Sequence, residues 1–300
     1  MARKSIKRHR IHKELRTLWA FGIREFRIWQ SYRANQIMWM VNVFVTTLLY
    51  FLMGRMVEGK ASSLLGSAYG DNYMSFIVVG IMVNVFLYTN LADPYTRIAR
   101  SYFNGTMDLF LLSPMSVYTP LLGLMTKSIL DDYPRLFFVG AFGVFLFGAV
   151  FRFDHLFWVF LFSLLVLAAA FGIGMISASS FYLLNIKRGT EPVRFFVQQL
   201  MATLLAGTYY PVTVLPKSLQ WVACLIPHTY AFDALRRLLD PRAAMGVAVL
   251  PLQRVLPWPP LVTDGMVLLA MGTAFIPLGL WLYGRGIEKA RREGSLTRWQ

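Results

Sequence analysis

VTVLPKSLQWVACLIPHTYAFDALRRLL, residues 212–239, is the stretch on which the fold turns. It is apolar over most of its length, yet Pro216 and Pro227 divide it, and it ends in a polar turn with Asp233, Arg236, Arg237 and Asp240. Proline has no amide hydrogen to donate and its ring clashes with the preceding turn, so no straight helix runs through both positions. If the stretch crosses a membrane, the chain has seven spans and its ends lie on opposite sides. If it turns back, there are six spans and the ends share a side.

The spans on either side are read from runs of apolar residues. Gln36–Met53 gives 18 residues, roughly 27 Å of helix, which is enough for a hydrocarbon core. Tyr73–Leu91 follows a polar loop at 55–72, and Asp93–Pro114 is a long polar stretch after it. Apolar sequence from Val117 to Phe151 is too long for one straight crossing and carries Asp131, Asp132, Pro134 and Arg135. The crossing is placed at Asp132–Phe151, with the preceding turns along the cytosolic boundary. Leu156–Leu184 is the fourth span; its Ala170, Gly174 and Ala178 form a small-residue ladder suited to close helix packing. Phe195–Pro211 and Val262–Tyr283 complete the set, the latter reached through the linker LPWPPL (256–261).

Charge chooses between six and seven. Ten of the 30 Lys and Arg residues lie in the first 35 positions, and Arg285, Lys289, Arg291, Arg292 and Arg298 close the chain. With six spans, 22 basic residues fall on the side of the termini and eight on the other. Basic residues favour the cytosol, so both termini are placed there and 212–239 is read as re-entrant. Broken helices are tolerated at membrane depth where protein or a water-filled cavity covers them. Residues 14–30 place Leu15, Leu18, Trp19, Phe26 and Trp29 on one face and arginines on another, as in a helix lying at the interface.

Composition agrees with a lipid solvent. The chain is 56% hydrophobic and only 15% charged, against roughly 25% charged in soluble domains, and its mean hydropathy is +0.51. The net charge of +15 is concentrated at the ends, which suits anionic headgroups better than nucleic acid. One cysteine, Cys224, excludes an intrachain disulfide, and the four histidines lack metal-ligand spacing. The fold expected is therefore an all-α membrane protein: six transmembrane helices, an N-terminal interfacial helix, and a re-entrant helical hairpin between helices five and six.

Two stretches resemble permeases of the ABC-2 transporter family. NGTMDLFLLSPMS (104–116) is similar to that family's cytosolic segment, with Asp108 where Glu is commoner. GTYYPVTVLPKSLQWVACLIPHTYAFDALRRLL (207–239) is similar to the segment after its fifth span, with Tyr-Pro, Leu-Pro and Ile-Pro-x-Thr-Tyr in order. The resemblance implies residues 1–35 as a basic cytosolic N-terminus with an interfacial elbow helix, 36–284 as the transmembrane domain, and 285–300 as a basic cytosolic tail. It implies a multi-pass protein of the cell inner (plasma) membrane that pairs with a second copy or a related permease and docks on a separate nucleotide-binding ATPase. The chain itself has no G-x-x-x-x-G-K-[ST] loop, so ATP and Mg would be held by that partner, and no cofactor, metal or catalytic group by this one.

The same resemblance implies a coupling segment at 97–114, with Arg97, Arg100, Gly105, Thr106, Asp108, Leu109, Phe110 and Leu111 contacting the ATPase. Phe196, Tyr209 and Tyr210 either line a translocation path or are ordinary packing aromatics. Pro211, Pro216, Pro227 and Tyr230 belong to the re-entrant gate. The ending IPHTYAFDALRRLL is closer to drug- and antibiotic-resistance permeases than to polysaccharide exporters, which implies a hydrophobic small molecule or lipid as cargo, with a polysaccharide or glycolipid precursor as the alternative. An ion-coupled carrier would require mid-span acids, and an integral membrane enzyme a catalytic cluster around Asp131-Asp132. Charged pairs at 131/135 and 233/236 or 237 are read as structural.

Overall fold

The structure is a computed structural model that describes residues 16, 19–20, 22–24, 27, 30–65, 68–70, 72–112, 116–185, 195–196 and 202–296. Four long helices come first: α1 (Arg33–Leu65), α2 (Tyr73–Phe103), α4 (Thr119–Phe147) and α5 (Leu156–Leu183), with the short α3 (Met107–Leu112) between α2 and α4. The hairpin region holds a 3-10 turn (Val212–Val214), α6 (Lys217–Ala223) and α7 (Pro227–Leu239); α8 (Pro251–Val255) and the long α9 (Pro260–Arg292) complete the chain. Among the described residues, α5 and α9 are long and apolar enough to cross a membrane. Gln36–Leu52, Tyr73–Tyr88 and Tyr133–Phe147 are shorter apolar stretches inside α1, α2 and α4.

Side-chain contacts fix the direction of each helix. Trp39 stacks with Arg135 at 4.8 Å, Phe44 meets Phe142 at 5.7 Å and Phe51 meets Phe147 at 4.8 Å. Both numbers rise together, so α1 and α4 are parallel. Gly143 abuts Val78, Gly140 abuts Met82, and Phe86 meets Tyr133, so α2 is antiparallel to α4. On α9, Gly265, Gly272, Gly279 and Gly286 recur every seven residues and face Phe162, Ala168, Met175 and Tyr182 of α5 in turn. A strict seven-residue repeat keeps one seam facing its neighbour along a left-handed pair, and small residues let the backbones approach. A Cβ on Gly279 would fall 2.6 Å from Met175 Cβ, and one on Gly172 would fall 2.4 Å from Phe275 Cβ.

The ladder noted at Ala170, Gly174 and Ala178 is buried, and Gly174 faces α2. A Cβ there would meet the Asn90 carbonyl at 2.7 Å and Pro94 Cγ at 2.9 Å. Pro94 cannot donate to that carbonyl, and α5 packs closely over the gap.

Several expected boundaries move. The loop expected at 55–72 is helical as far as Leu65, because Glu, Lys, Ala and Leu in RMVEGKASSLL all suit a helix. The polar stretch from Asp93 begins as a continuation of α2, through Pro94 to Phe103. The chain from Thr119 to Phe147 is one helix of 29 residues with Pro134 inside it, in place of boundary turns followed by a crossing. The fourth span and α5 coincide to within a residue. Most of the interfacial helix expected at 14–30 lies outside the described residues, although those described between 16 and 27 are helical. The fifth span expected at Phe195–Pro211 is, among its described residues, helical at 195–196 and 202–204 but irregular over 205–211, where Gly207 takes φ +81°, so it ends about two turns early. The side chains of Asp131 and Asp132 also lie outside them.

Candidate functional site

Two regions at opposite ends of α2, α5 and α9 gather the residues singled out above. The first is the turn after α2. Gly105 has φ +69°, a left-handed conformation natural to glycine. Its amide donates to the Tyr102 carbonyl at 3.2 Å and the Thr106 amide to the Ser101 carbonyl at 3.0 Å. That bond pair is a Schellman cap, and the Thr106 hydroxyl adds a third contact to Ser101 O at 3.2 Å. Asn104-Gly105-Thr106, which matches a glycosylation acceptor, is thus the helix-ending turn that swings the chain into α3.

α3 is held on one side and open on the other. Met107 is buried with Tyr95, Ile98 and Tyr102 of α2, Phe181 and Tyr182 of α5, and Tyr283 and Ile287 of α9. Phe181 is ringed by Tyr95, Tyr102 and Tyr182, with centroids 4.9–5.7 Å away. Leu109 and Leu112 are 68% and 84% exposed. Arg97 is half-buried and Arg100 exposed on the last turns of α2. Asp108, Phe110 and Leu111 belong to α3, with side chains outside the described part.

The second region is the far end, where the hairpin residues fold into a buried polar knot. The α7 residues from Pro227 to Leu239 are all buried. Arg237 Nε donates to Asp233 Oδ2 at 2.8 Å, and its two terminal nitrogens donate to the carbonyls of Ala244 and Val247 at 2.5 and 2.8 Å. The Tyr69 hydroxyl donates to Asp233 Oδ1. Gln253 Nε2 bridges Asp233 Oδ2 and Asp264 Oδ1, at 2.7 Å each. The pairing is therefore i to i+4, with Arg237. Arg236 instead donates to the carbonyls of Phe76, Gly207 and Thr208, at 3.2, 2.6 and 2.6 Å, and lies 3.4 Å from the centre of the Phe76 ring.

The irregular backbone of the hairpin is satisfied from within. Gln220 donates to the carbonyls of Thr213 and Leu215, Thr229 to Ala223, and the buried Tyr230 hydroxyl to Cys224. The carbonyls at the end of α7 are capped by Arg152: its amide donates to Leu239 at 2.8 Å, and its guanidinium to Leu238 and Arg237. A cation at a helix C-terminus also meets the negative end of the helix dipole. Pro227 occupies the first turn of α7, where its missing amide hydrogen costs little. Pro216 is exposed before α6, and Pro211 is buried before the 3-10 turn.

The pathway candidates separate. The Tyr209 ring stacks on Tyr50 of α1 at 4.7 Å and the two hydroxyls bond at 2.6 Å. The Tyr210 hydroxyl donates to the Leu204 carbonyl, and Phe196 is exposed. Tyr69, Arg152, Gln253 and Asp264 were not singled out from the sequence. Only Asp264, an acid near the start of an apolar helix, carried a local signal. Among the described residues, no group of three or more His, Cys, Asp or Glu could hold a metal.

Comparison with known proteins bears on what this arrangement serves. No protein-family profile matches the chain. Over 238 residues it is 27% identical to the inner membrane transport permease YadH of Escherichia coli K12, spanning 74% of this chain and 81% of that protein. The same figures hold for YadH of Shigella flexneri. Together with the long apolar helices, this similarity supports an inner-membrane transport permease.

Proposed function

We propose that the chain is the membrane-spanning subunit of an ABC-2 type exporter, working as a pair of permeases driven by a separate ATPase. The observation that carries this reading is α3, which is capped rigidly onto α2, plugged by Met107 into a cluster shared with α5 and α9, and open on its Leu109 and Leu112 face. An apolar helix face of this kind suits insertion into a groove on a partner. A displacement there is carried by packed side chains into α5 and α9, which share the glycine seam, and so to the knot that holds α7. In this reading both termini lie in the cytosol and the chain has six spans, with 212–239 re-entrant. Neither α6, of 7 residues, nor α7, of 13, is long enough to cross.

The cargo proposed is a hydrophobic small molecule or lipid, on the strength of the drug-permease-like ending of the hairpin. A charge-coupled carrier has less support, since Asp233 is committed to Arg237, Tyr69 and Gln253, and of the knot's two acids only Asp264 keeps an oxygen, Oδ2, without a hydrogen-bond partner.

The single cysteine makes a direct test possible. In a Cys224→Ser background, a cysteine replacing Leu112 is expected to react with a membrane-impermeant maleimide in inside-out vesicles and not in intact spheroplasts. Washing the ATPase off the vesicles should raise the labelling rate several-fold. Labelling from the outside would reverse the topology, and a rate indifferent to the wash would remove the docking role of α3.

A further inference from the structure

At the tail end of α9 a cavity of about 430 Å³ opens against the last residue of α5. It is lined by Leu183, Trp281, Leu282 and Arg285, with charged residues of the last turns of α9 around them. Four of its five charged residues are paired with one another. Lys289 Nζ donates to the Leu183 carbonyl at 2.8 Å and lies 3.8 Å from Glu293, and Arg292 pairs with Glu288 at 2.5 Å. Arg285 is the exception. Its guanidinium lies 5.0 Å from the centre of the Trp281 ring, and no carboxylate pairs with it among the described residues.

Its position selects the ligand. Arg285 follows the last apolar turn of α9 and Trp281 is 55% exposed one turn earlier, the arrangement by which aromatic and basic residues meet the headgroup layer. A guanidinium presents a planar fork of donors that matches a phosphate in two bonds. We infer that this cavity binds one phospholipid of the cytosolic leaflet, with its phosphodiester on Arg285 and its glycerol and upper acyl chain against Trp281, Leu282 and Leu183. Because α9 and α5 both line the cavity and share the glycine seam, the lipid fixes the depth of that helix pair. The inference rests on α9 crossing the membrane with its tail on the cytosolic side.

Native mass spectrometry of the full chain, released from detergent containing phosphatidylglycerol, tests it. The wild type is expected to retain one more tightly bound phosphatidylglycerol per chain than Arg285→Gln, whose affinity for that lipid should fall on the order of tenfold. Arg291→Gln, also exposed on α9 but not lining the cavity, should bind like the wild type. Equal loss in both variants would show diffuse surface charge, and no loss in Arg285→Gln would remove the site; either overturns the inference. Recovery of the chain in the soluble fraction would instead overturn the membrane reading itself.

Discussion

Arg237→Met is expected to destabilise the protein by about 3–5 kcal/mol, the cost of removing one partner from a buried ion pair. The guanidinium is fully buried and serves three acceptors on different segments: Asp233, Ala244 and Val247. Methionine fills much of the same volume but leaves Asp233 without its cation and two carbonyls without donors. Heating detergent-solubilised protein and following the monodisperse fraction by size-exclusion chromatography should show a clear fall in the midpoint. Arg291→Met, on the exposed side of α9, should stay within about 0.5 kcal/mol of the wild type. Asp233→Leu combined with Arg237→Met should recover part of the loss, since no charge is then stranded. Unchanged behaviour of the single variant would mean that the knot does not hold α7 in place.

The second large effect lies on the seam between α5 and α9. Gly172→Ala puts a methyl group 2.4 Å from Phe275 Cβ and 2.8 and 2.9 Å from the backbone at Phe275 and Ile276. Backbone cannot step aside as a side-chain tip can, so the helices must separate. Overpacking of this kind costs about 1–3 kcal/mol, and the gain of up to about 1 kcal/mol in helix propensity offsets only part of it. Adding Gly279→Ala, which meets Met175 Cβ at 2.6 Å and the Gly172 carbonyl at 3.0 Å, should bring the loss to several kcal/mol. The same thermal assay should find Gly246→Ala neutral, because nothing lies within 4 Å of that position. If the seam variants match Gly246→Ala, the two helices do not move as one body.

What the sequence discloses depends on how local the physics is. An unbroken apolar run marks α5 to within a residue, because length and hydrophobicity alone decide it. Gly105, expected only as part of the coupling segment, is a helix-ending turn with a left-handed backbone that few other residues tolerate, and its place inside a polar stretch does not disclose this. The extensions of α1 to Leu65 and of α2 to Phe103 are not legible from polarity, because polar residues leave a membrane without leaving a helix. The knot is less legible still. Tyr69, Asp233, Gln253 and Asp264 belong to four separate segments, and no local pattern announces that they meet. Even within α7, spacing allows Asp233 either arginine; tertiary carbonyls claim Arg236 and leave Arg237 for the pair. The glycine heptad of α9 is plain in the sequence once its period is counted, whereas the shorter ladder at 170–178 is easier to notice and faces a different helix.

The account depends most on a partner that supplies the energy. The decisive measurement is to isolate the tagged chain from its native membrane in mild detergent and quantify what accompanies it. The expected result is a P-loop ATPase in a fixed ratio to the permease, released when Leu109 and Leu112 are both replaced by glutamate while the permease still inserts. Transport by the chain alone, with no associated ATPase and no response to ATP, would contradict it.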